Sequence, residues 1–326
     1  MSIGTFCKKH AAGLFMYCFI AVLSFVFLVL SSKGGQGIDQ EAQPHSNHSI
    51  VEINNQLAGS GKSVNDRRKF QVEKSTTTPV SFLESFDKNQ KIIESGSIEE
   101  SSNAIWALSS GAYMSIANGT GNTNIGKLAD SDPWKIIYAR DNPIDTDNGL
   151  HPQNIFRLEL RKLSLNYSQE AKFRILADNM SDSPNRNQTN GIHFFNRYID
   201  ANNLYYTGIR VDGYVDIKKK YHGAYYTLSH VKVFDGPSYS RDSKSSLLPK
   251  NVWFRLKTEI RNLSSNKVSI AYYIDKGNVG TWTPVVTVID DGISFGGAAL
   301  VSAGLTGIRT DFMDVSFDDY IVQSIP

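Results

Sequence analysis

Between residues 155 and 218 the chain places arginine, glutamate, histidine and tyrosine at alternate positions of apolar segments. In the run Ile155-Phe156-Arg157-Leu158-Glu159-Leu160-Arg161, Arg157, Glu159 and Arg161 share one phase and Phe156, Leu158 and Leu160 the other. Over 191–198, His193, Phe195 and Arg197 oppose Ile192, Phe194 and Tyr198. Tyr206 and Arg210 then oppose Tyr205, Thr207, Ile209 and Val211, and Tyr214, Asp216 and Lys218 oppose Val215 and Ile217. In a strand such alternation sends successive side chains to opposite faces. The polar sets suit a cleft for a sugar polymer, because aromatic faces stack on pyranose rings and arginine grips carboxylates through paired hydrogen bonds. They suit equally the solvent face of a sheet, where charged cross-strand pairs are routine. The candidate ligand residues are therefore Arg157, Glu159, Arg161, His193, Arg197, Tyr206 and Arg210.

The elements that must hold these residues are short strands. Residues 191–228 read as three strands with turns at Asn202-Asn203, Asp212-Gly213 and His222-Gly223. Asp-Gly between alternating apolar runs is a strong hairpin signal, since glycine accepts the positive φ of such turns. Further strands are expected at 135–139, 154–165, 172–177, 253–262, 268–274, 285–289 and 312–322. Turn residues separate them at even intervals and no long amphipathic helix intervenes, which predicts a sandwich. The polar loops 141–153 and 178–190 are expected to form the rims of a groove.

The segments NNLYYTGIRVDGYVDIKKKYHGAYYTL (202–228), GLTGIRTDFMDVSFDDYIV (304–322) and SFLESFD (81–87) carry a resemblance. They are similar to the central meander, closing strand and opening strand of laminin-G-like members of the concanavalin A-like lectin/glucanase superfamily. The similarity covers most of residues 80–326. It implies an all-β fold, an antiparallel two-sheet jelly-roll sandwich. It leaves activity open, because that superfamily includes lectins, adhesion modules, glycosidases and polysaccharide lyases.

Two catalytic patterns of the superfamily bear on that question. The paired carboxylates of its retaining glucanases, Glu-x-Asp-x-x-Glu, are absent. Asp311 and Asp314 stand three apart on opposite strand faces, the wrong geometry for an acid and a nucleophile. Arg157-Leu158-Glu159-Leu160-Arg161 and Gly191-Ile192-His193 resemble parts of the alginate-type lyase set, whose closing tyrosine motif has no counterpart here. By that resemblance, Arg161 would neutralise a uronate carboxylate and His193 or Tyr206 would take the C5 proton. The resemblance also implies a structural calcium between first and last strands. Asp319 shares a phase with Met313, Val315, Phe317 and Ile321, and Asp87 and Glu84 on the opening strand would join it. Otherwise Asp319 accepts backbone N–H bonds or pairs with Arg309.

The N-terminal region is of another kind. Lys8 and Lys9 precede an apolar run from 11 to 30, followed by Ser31, Ser32 and Lys33. Twenty apolar residues match a bilayer core of about 30 Å, and the basic flank predicts a cytoplasmic N-terminus. Residues 1–33 are thus expected to be a signal anchor, the alternative being a cleaved signal peptide and a secreted product. Residues 34–79, rich in polar residues and poor in apolar ones, read as a stalk. Both cysteines, Cys7 and Cys18, belong to the N-terminal region, which excludes thiol catalysis and cysteine-ligated zinc from 80–326. Six sequons, at Asn47, Asn118, Asn166, Asn179, Asn187 and Asn262, fit a glycosylated surface protein. Residues 80–326 carry 26 Lys plus Arg against 27 Asp plus Glu, without the basic excess that nucleic-acid binding needs.

The sequence therefore predicts a membrane-anchored, outward-facing jelly roll that binds carbohydrate, whose partners are a glycan and, through its helix, the membrane. The alternatives are a polysaccharide-cleaving enzyme, a uronate lyase above all, and an adhesion domain that binds protein.

Overall fold

A computed structural model of the chain describes residues 81–326. The expected anchor, the stalk, both cysteines and the Asn47 sequon lie outside the described residues. Among the described residues no helix is long and apolar enough to cross a membrane.

Five short strands come first: β1 (Ser81–Glu84), β2 (Gln90–Ile93), β3 (Trp106–Ser110), β4 (Tyr113–Ala117) and β5 (Thr120–Thr123). Helix α1 (Pro133–Asp141) and a 3-10 turn (Pro152–Asn154) lead into the long strands β6 (Ile155–Ser164) and β7 (Tyr167–Asp178). A meander comes next, made of β8 (Gly191–Asp200), β9 (Asn203–Arg210), β10 (Tyr214–Tyr221) and β11 (Ala224–Lys232). A second meander holds β12 (Phe254–Ser264), β13 (Lys267–Asp275) and β14 (Thr283–Asp290). The last two strands are β15 (Gly304–Asp311) and β16 (Met313–Ser324).

They form two antiparallel sheets. One has seven strands in the order β11-β10-β9-β8-β15-β6-β3. The other has nine, in the order β14-β13-β12-β7-β16-β5-β4-β2, with β1 also pairing β16. This is the jelly-roll sandwich that the resemblance implies. Inward-facing residues of both sheets make one core, in which Trp106, Phe156, Phe173, Phe194, Tyr205, Phe254, Tyr272 and Phe317 are wholly buried. Each such side chain stabilises the fold by roughly 1.5–3 kcal/mol relative to exposure.

Four expectations are corrected. Residues 135–139 are not a strand but the middle of α1, which Asp132 caps by accepting the Trp134 N–H at 2.8 Å, with Pro133 in the first turn. A capping aspartate before a proline is the usual way to start a helix. Trp134, Ile137 and Tyr138 bury its inner face against Ala112, Tyr113 and Ile155. The meander has a fourth strand, β11, beyond the His222-Gly223 turn. The closing segment is two strands: Phe312, at φ 53°, turns the chain from the seven-stranded sheet into the nine-stranded one. Finally, β16 carries a register irregularity between Asp318 and Ile321, with Asp319 at φ 44°. The phase therefore shifts, and Tyr320 and Val322, not Asp319 and Ile321, continue the buried set of Met313, Val315 and Phe317. A bulge of this kind adds a residue and re-aims the side chains beyond it.

One ion pair spans the sheets. Lys219 of β10 and Asp290 at the end of β14 are both fully buried and 2.9 Å apart. Tyr205 donates to Asp290 at 2.6 Å, and Lys219 also reaches the Gly297 carbonyl at 2.8 Å. The pair fixes the segment after β14 against the seven-stranded sheet.

Candidate functional site

The seven-stranded sheet turns its second face away from the core, and the strand registers align its outward side chains in rows. One row runs His230, Asp216, Gly208, His193, Arg309, Arg157 from β11 to β6. The next runs Thr227, Lys218, Tyr206, Phe195, Gly307, Glu159. Glycine is required at 208, since a Cβ there would stand 2.4 Å from His193 Nδ1. The imidazole of His193 lies across β9 only because that position is bare.

The first row is ionic. Arg210 donates to Asp216 at 2.8 Å and to Asp212 at 2.7 Å, and His230 Nδ1 lies 2.5 Å from the other Asp216 oxygen. Burial pushes the Asp216 carboxyl upward, but Arg210, the His230 hydrogen bond and Lys218 outweigh it and hold the group below its ordinary range. The His230 ring stacks flat on Tyr214, with centroids 4.0 Å apart and planes within 3°. Arg309 donates to Asp311 at 2.9 Å, and His193 Nε2 stands 4.0 Å from that carboxylate. Burial, helped by the charge of Arg309, holds the His193 pKa down at about 3, so its imidazole is neutral at physiological pH.

The second row borders an aromatic patch. Phe195, Leu204 and Tyr206 form a small cluster of their own, flanked by Tyr198 and Tyr225. Phe195 meets Tyr206 edge-on at 5.6 Å, and Tyr225 stacks on Tyr206 at 6.0 Å. Tyr198, Tyr214 and Tyr225 are half-buried and the His230 side chain is 40% exposed, so solvent reaches the face along β10 and β11 and beside Tyr198. Glu159, beyond the patch, is fully buried. Ser109 donates to one of its oxygens at 2.7 Å, while the other has no hydrogen-bond partner. Burial raises its pKa to about 7 against the opposing pull of Ser109 and Arg157.

Of the residues expected to meet, Arg157, Glu159, His193, Tyr206 and Arg210 do share this face. Two do not join them. Arg161 turns to the neighbouring loop and donates to the carbonyls of Asn103 at 2.7 Å and Ser101 at 3.3 Å. Arg197, at φ 47° in an irregular stretch of β8, is fully buried and donates to the carbonyls of Leu300 and Leu165 at 2.7 and 2.9 Å. The set Arg161, His193, Tyr206 is thus not assembled. Arg309 stands beside His193 instead, with its guanidinium 5.3 Å from the Tyr206 ring. The alternation of Ile308 and Thr310 with Arg309 and Asp311 marks it once 304–311 is read as a separate strand.

The calcium ligands fit poorly. Lys172 engages the Asp319 carboxylate, Glu84 accepts the Phe86 N–H at 2.9 Å, and Ser85 donates to Asp87 at 2.6 Å. A calcium ion there would have to displace an ammonium group. Among the described residues no group of three or more His, Cys, Asp or Glu is arranged to hold a metal ion. Arg309 pairs with Asp311 rather than Asp319.

The five described sequons differ sharply. Asn118 is exposed in the β4–β5 hairpin, at φ 54° before Gly119. Asn179 is buried and donates to Asn154 at 3.0 Å and Asp314 at 3.1 Å. Asn262 donates to Val301 O at 2.8 Å and accepts from buried Arg197. Asn187 donates to Asn185 O at 3.2 Å, and Asn166 accepts the Asn262 N–H at 2.9 Å.

No family model and no curated protein matches the chain. Solved structures with a similar arrangement include a carbohydrate-binding module, CBM66, from Bacillus subtilis, at 14% identity and a TM-score of 0.39, covering 66% of this chain and 92% of that one. A GH43 protein, BlXynB, from Bacillus licheniformis is 12% identical at a TM-score of 0.41, covering 74% of this chain and 39% of that one. A β-glucanase from the same species is 10% identical at a TM-score of 0.38, covering 76% and 98%. Likenesses this distant add nothing to the sheet order as the ground for the fold, and what this chain has is an all-β jelly-roll sandwich with one densely polar, aromatic outer face.

Proposed function

We propose that this chain is a carbohydrate-binding domain whose ligand lies along the outer face of the seven-stranded sheet. The observation that carries the reading is the juxtaposition of the Tyr198-Phe195-Tyr206-Tyr225 patch with the Arg157-Arg309-His193 row. Sugar rings offer apolar C–H faces and equatorial hydroxyls together, so a binding surface needs stacking area beside fixed hydrogen-bonding groups. The residues are held by packing and by one another, which lowers the ordering cost of binding. The basic flank and apolar run at the N-terminus support a domain tethered to the outer side of a membrane.

A second reading, a polysaccharide-cleaving enzyme, is favoured by Glu159. A carboxyl that titrates near neutrality with one oxygen unpartnered suits a general acid. The commitment of Arg161 to the Asn103 and Ser101 carbonyls counts against the lyase form of that reading. The test is to incubate the full chain with a panel of neutral and acidic polysaccharides and measure both retention and release of new reducing ends. Retention without release supports the binding domain. Release that disappears in Glu159→Gln supports the enzyme. Retention of a protein partner that free sugar does not displace, with no glycan retained, identifies an adhesion domain.

A further inference from the structure

Where β7 stops and β15 turns into β16, the end of the sandwich carries a recess of about 240 Å3, its open mouth included. Only a water-sized group reaches its floor. The loop 178–190, an expected groove rim, lines it with Asn179 and Asn190, and Asp178 and Asp311 stand at the strand ends beside them. Tyr239, from the segment between β11 and β12, and apolar Val211 and Phe312 complete the lining. Asp311 belongs both to the recess and to the ionic row of the sheet face, since Arg309 of that row donates to it at 2.9 Å.

Charge in the recess is already matched. Lys250 pairs with Asp178 at 2.7 Å, Arg309 pairs with Asp311, and Arg186 donates to the carbonyls of Ser181 and Arg241. What stays open is hydrogen-bonding capacity. Lys250 and Ser245 both engage Asp178 Oδ2, whereas the buried Oδ1 of that side chain, only 9% exposed, has no partner. The Asn179 amide donates to Asn154 and Asp314, and none of the described residues donates to its oxygen. Asn190, 7% exposed, accepts the Asn187 N–H at 2.6 Å, and its own NH2 donates to none of them. The Tyr239 hydroxyl is likewise without a partner among the described residues.

A buried acceptor without a donor is costly, and a ligand that brings the donor recovers that cost. A cation finds these carboxylates neutralised already. An alcohol, with one O–H donor and two acceptor lone pairs, matches a wall that offers acceptors and an amide donor side by side. The recess exceeds a single water, which takes about 30 Å3, and suits a ring with adjacent hydroxyls. Because its floor admits only a water-sized group, such a ligand enters by its end and not by the middle of a chain. The position gives access. Asp178 pairs with Met313 at the start of β16 and Ser81 with Gln323 near its end, about 30 Å away at the usual rise of a strand. A domain held through the residues before Ser81 therefore presents the recess at its far end.

We propose that this recess binds the terminal residue of a neutral glycan, whose end hydroxyls donate to Asp178 Oδ1 and the Asn179 oxygen and accept from the Asn190 amide. The inference rests on the carbohydrate-binding reading and adds a contact, at the end of the sheet face, that reads chain ends.

The test uses the full chain in detergent and three neutral polysaccharides, dextran, laminarin and xylan, each intact and after partial acid hydrolysis. Isothermal titration compares the two forms at equal sugar mass. For at least one polymer the hydrolysed form should bind at least fivefold more strongly, in step with its larger number of ends. Asp178→Asn and Asn190→Asp, which keep the side-chain shape, should each weaken that binding by about tenfold. Ser243→Ala, exposed between β11 and β12, should leave it unchanged. Circular dichroism confirms that each variant is folded. Equal binding of intact and hydrolysed forms overturns the inference and leaves the carbohydrate reading standing. So does parent-like binding by both folded variants, which leaves only water in the recess. A thermal midpoint raised by calcium chloride in the parent but not in Asp178→Asn makes the recess a cation site and overturns it too. No binding of any glycan, intact or hydrolysed, overturns both.

Discussion

The guanidinium of Arg309 stands 5.3 Å from the ring of Tyr206, joining β15 to β9 across β8, the central strand of the seven-stranded sheet. Arg309 is anchored from behind by Asp311 at 2.9 Å, so the contact is positioned and not merely adjacent. Replacing Tyr206 by Ala should weaken glycan retention by about tenfold, on the order of 1.4 kcal/mol. Tyr206→Phe should retain most of it, because Tyr206, itself buried, acts by supporting the half-buried Tyr225 that stacks on it, which needs the ring and not the hydroxyl. Isothermal titration with the tightest polymer of the panel measures both. A Tyr206→Ala variant that binds like the parent would place the ligand elsewhere.

The Lys219–Asp290 pair makes a stability prediction. Removing one partner leaves an uncompensated charge in a dry interior, so Lys219→Met should cost about 3–5 kcal/mol. Lys219→Met combined with Asp290→Leu should recover part of that loss. Urea denaturation of the single and double variants decides the point, and additive losses would contradict it.

A pH prediction comes from Glu94, which accepts hydrogen bonds from Tyr138 at 2.5 Å and from the Ala112 N–H at 2.7 Å in full burial. Burial raises its pKa to about 8, above the 4.5 of the exposed group. The folded state therefore binds this proton more tightly than the unfolded state. The contribution is complete below pH 4.5 and is lost as pH rises through 8, by an amount on the order of a few kcal/mol. Glu159, raised to about 7, acts with the same sign. His193 acts oppositely: its pKa of about 3 costs stability as pH falls below 6.5. Thermal midpoints should accordingly fall as pH rises from about 4.5 to about 8 and level off beyond it, and Glu94→Gln should flatten that decline.

Among the described sequons, Asn118 is expected to carry a glycan when the chain is exported from a glycosylating cell. Asn179 and Asn262 are not, since their amide N–H groups are committed inside the fold. Asn118→Gln should remove one glycan's mass on a gel, whereas Asn262→Gln should change stability without changing that mass.

How much of this could be read in advance depended on backbone regularity. Where strands run straight, as in β6 and β9, alternation placed Arg157, Glu159, Tyr206 and Arg210 on the face they occupy. Where the backbone breaks phase, the reading failed. Positive φ at Arg197 and Asp319 re-aims single side chains, and the same at Phe312 splits what looks like one strand. No apolar pattern announces such a break in non-glycine residues. The helix α1 was misread because Trp134, Ile136, Ile137 and Tyr138 have strand-like composition, although Asp132-Pro133 was a legible start signal. Arg161 kept its expected phase on β6 but serves the adjacent loop, a choice made by carbonyl acceptors far away in sequence.

The two strands separated by Phe312 are also the ones around which both sheets are organised. β15 lies between β8 and β6, and β16 lies between β7 and the strands β5 and β1. Residues 304–324 thus act as the keystone of each sheet, and β1 finds its partner only across almost the full length of the domain. Closing so long a loop before any pairing is gained makes for slow folding. During synthesis, the two meanders can form while the sheets between them stay open. The sandwich shuts only when this segment emerges, which leaves the nascent domain dependent on protection of its unpaired edges until then.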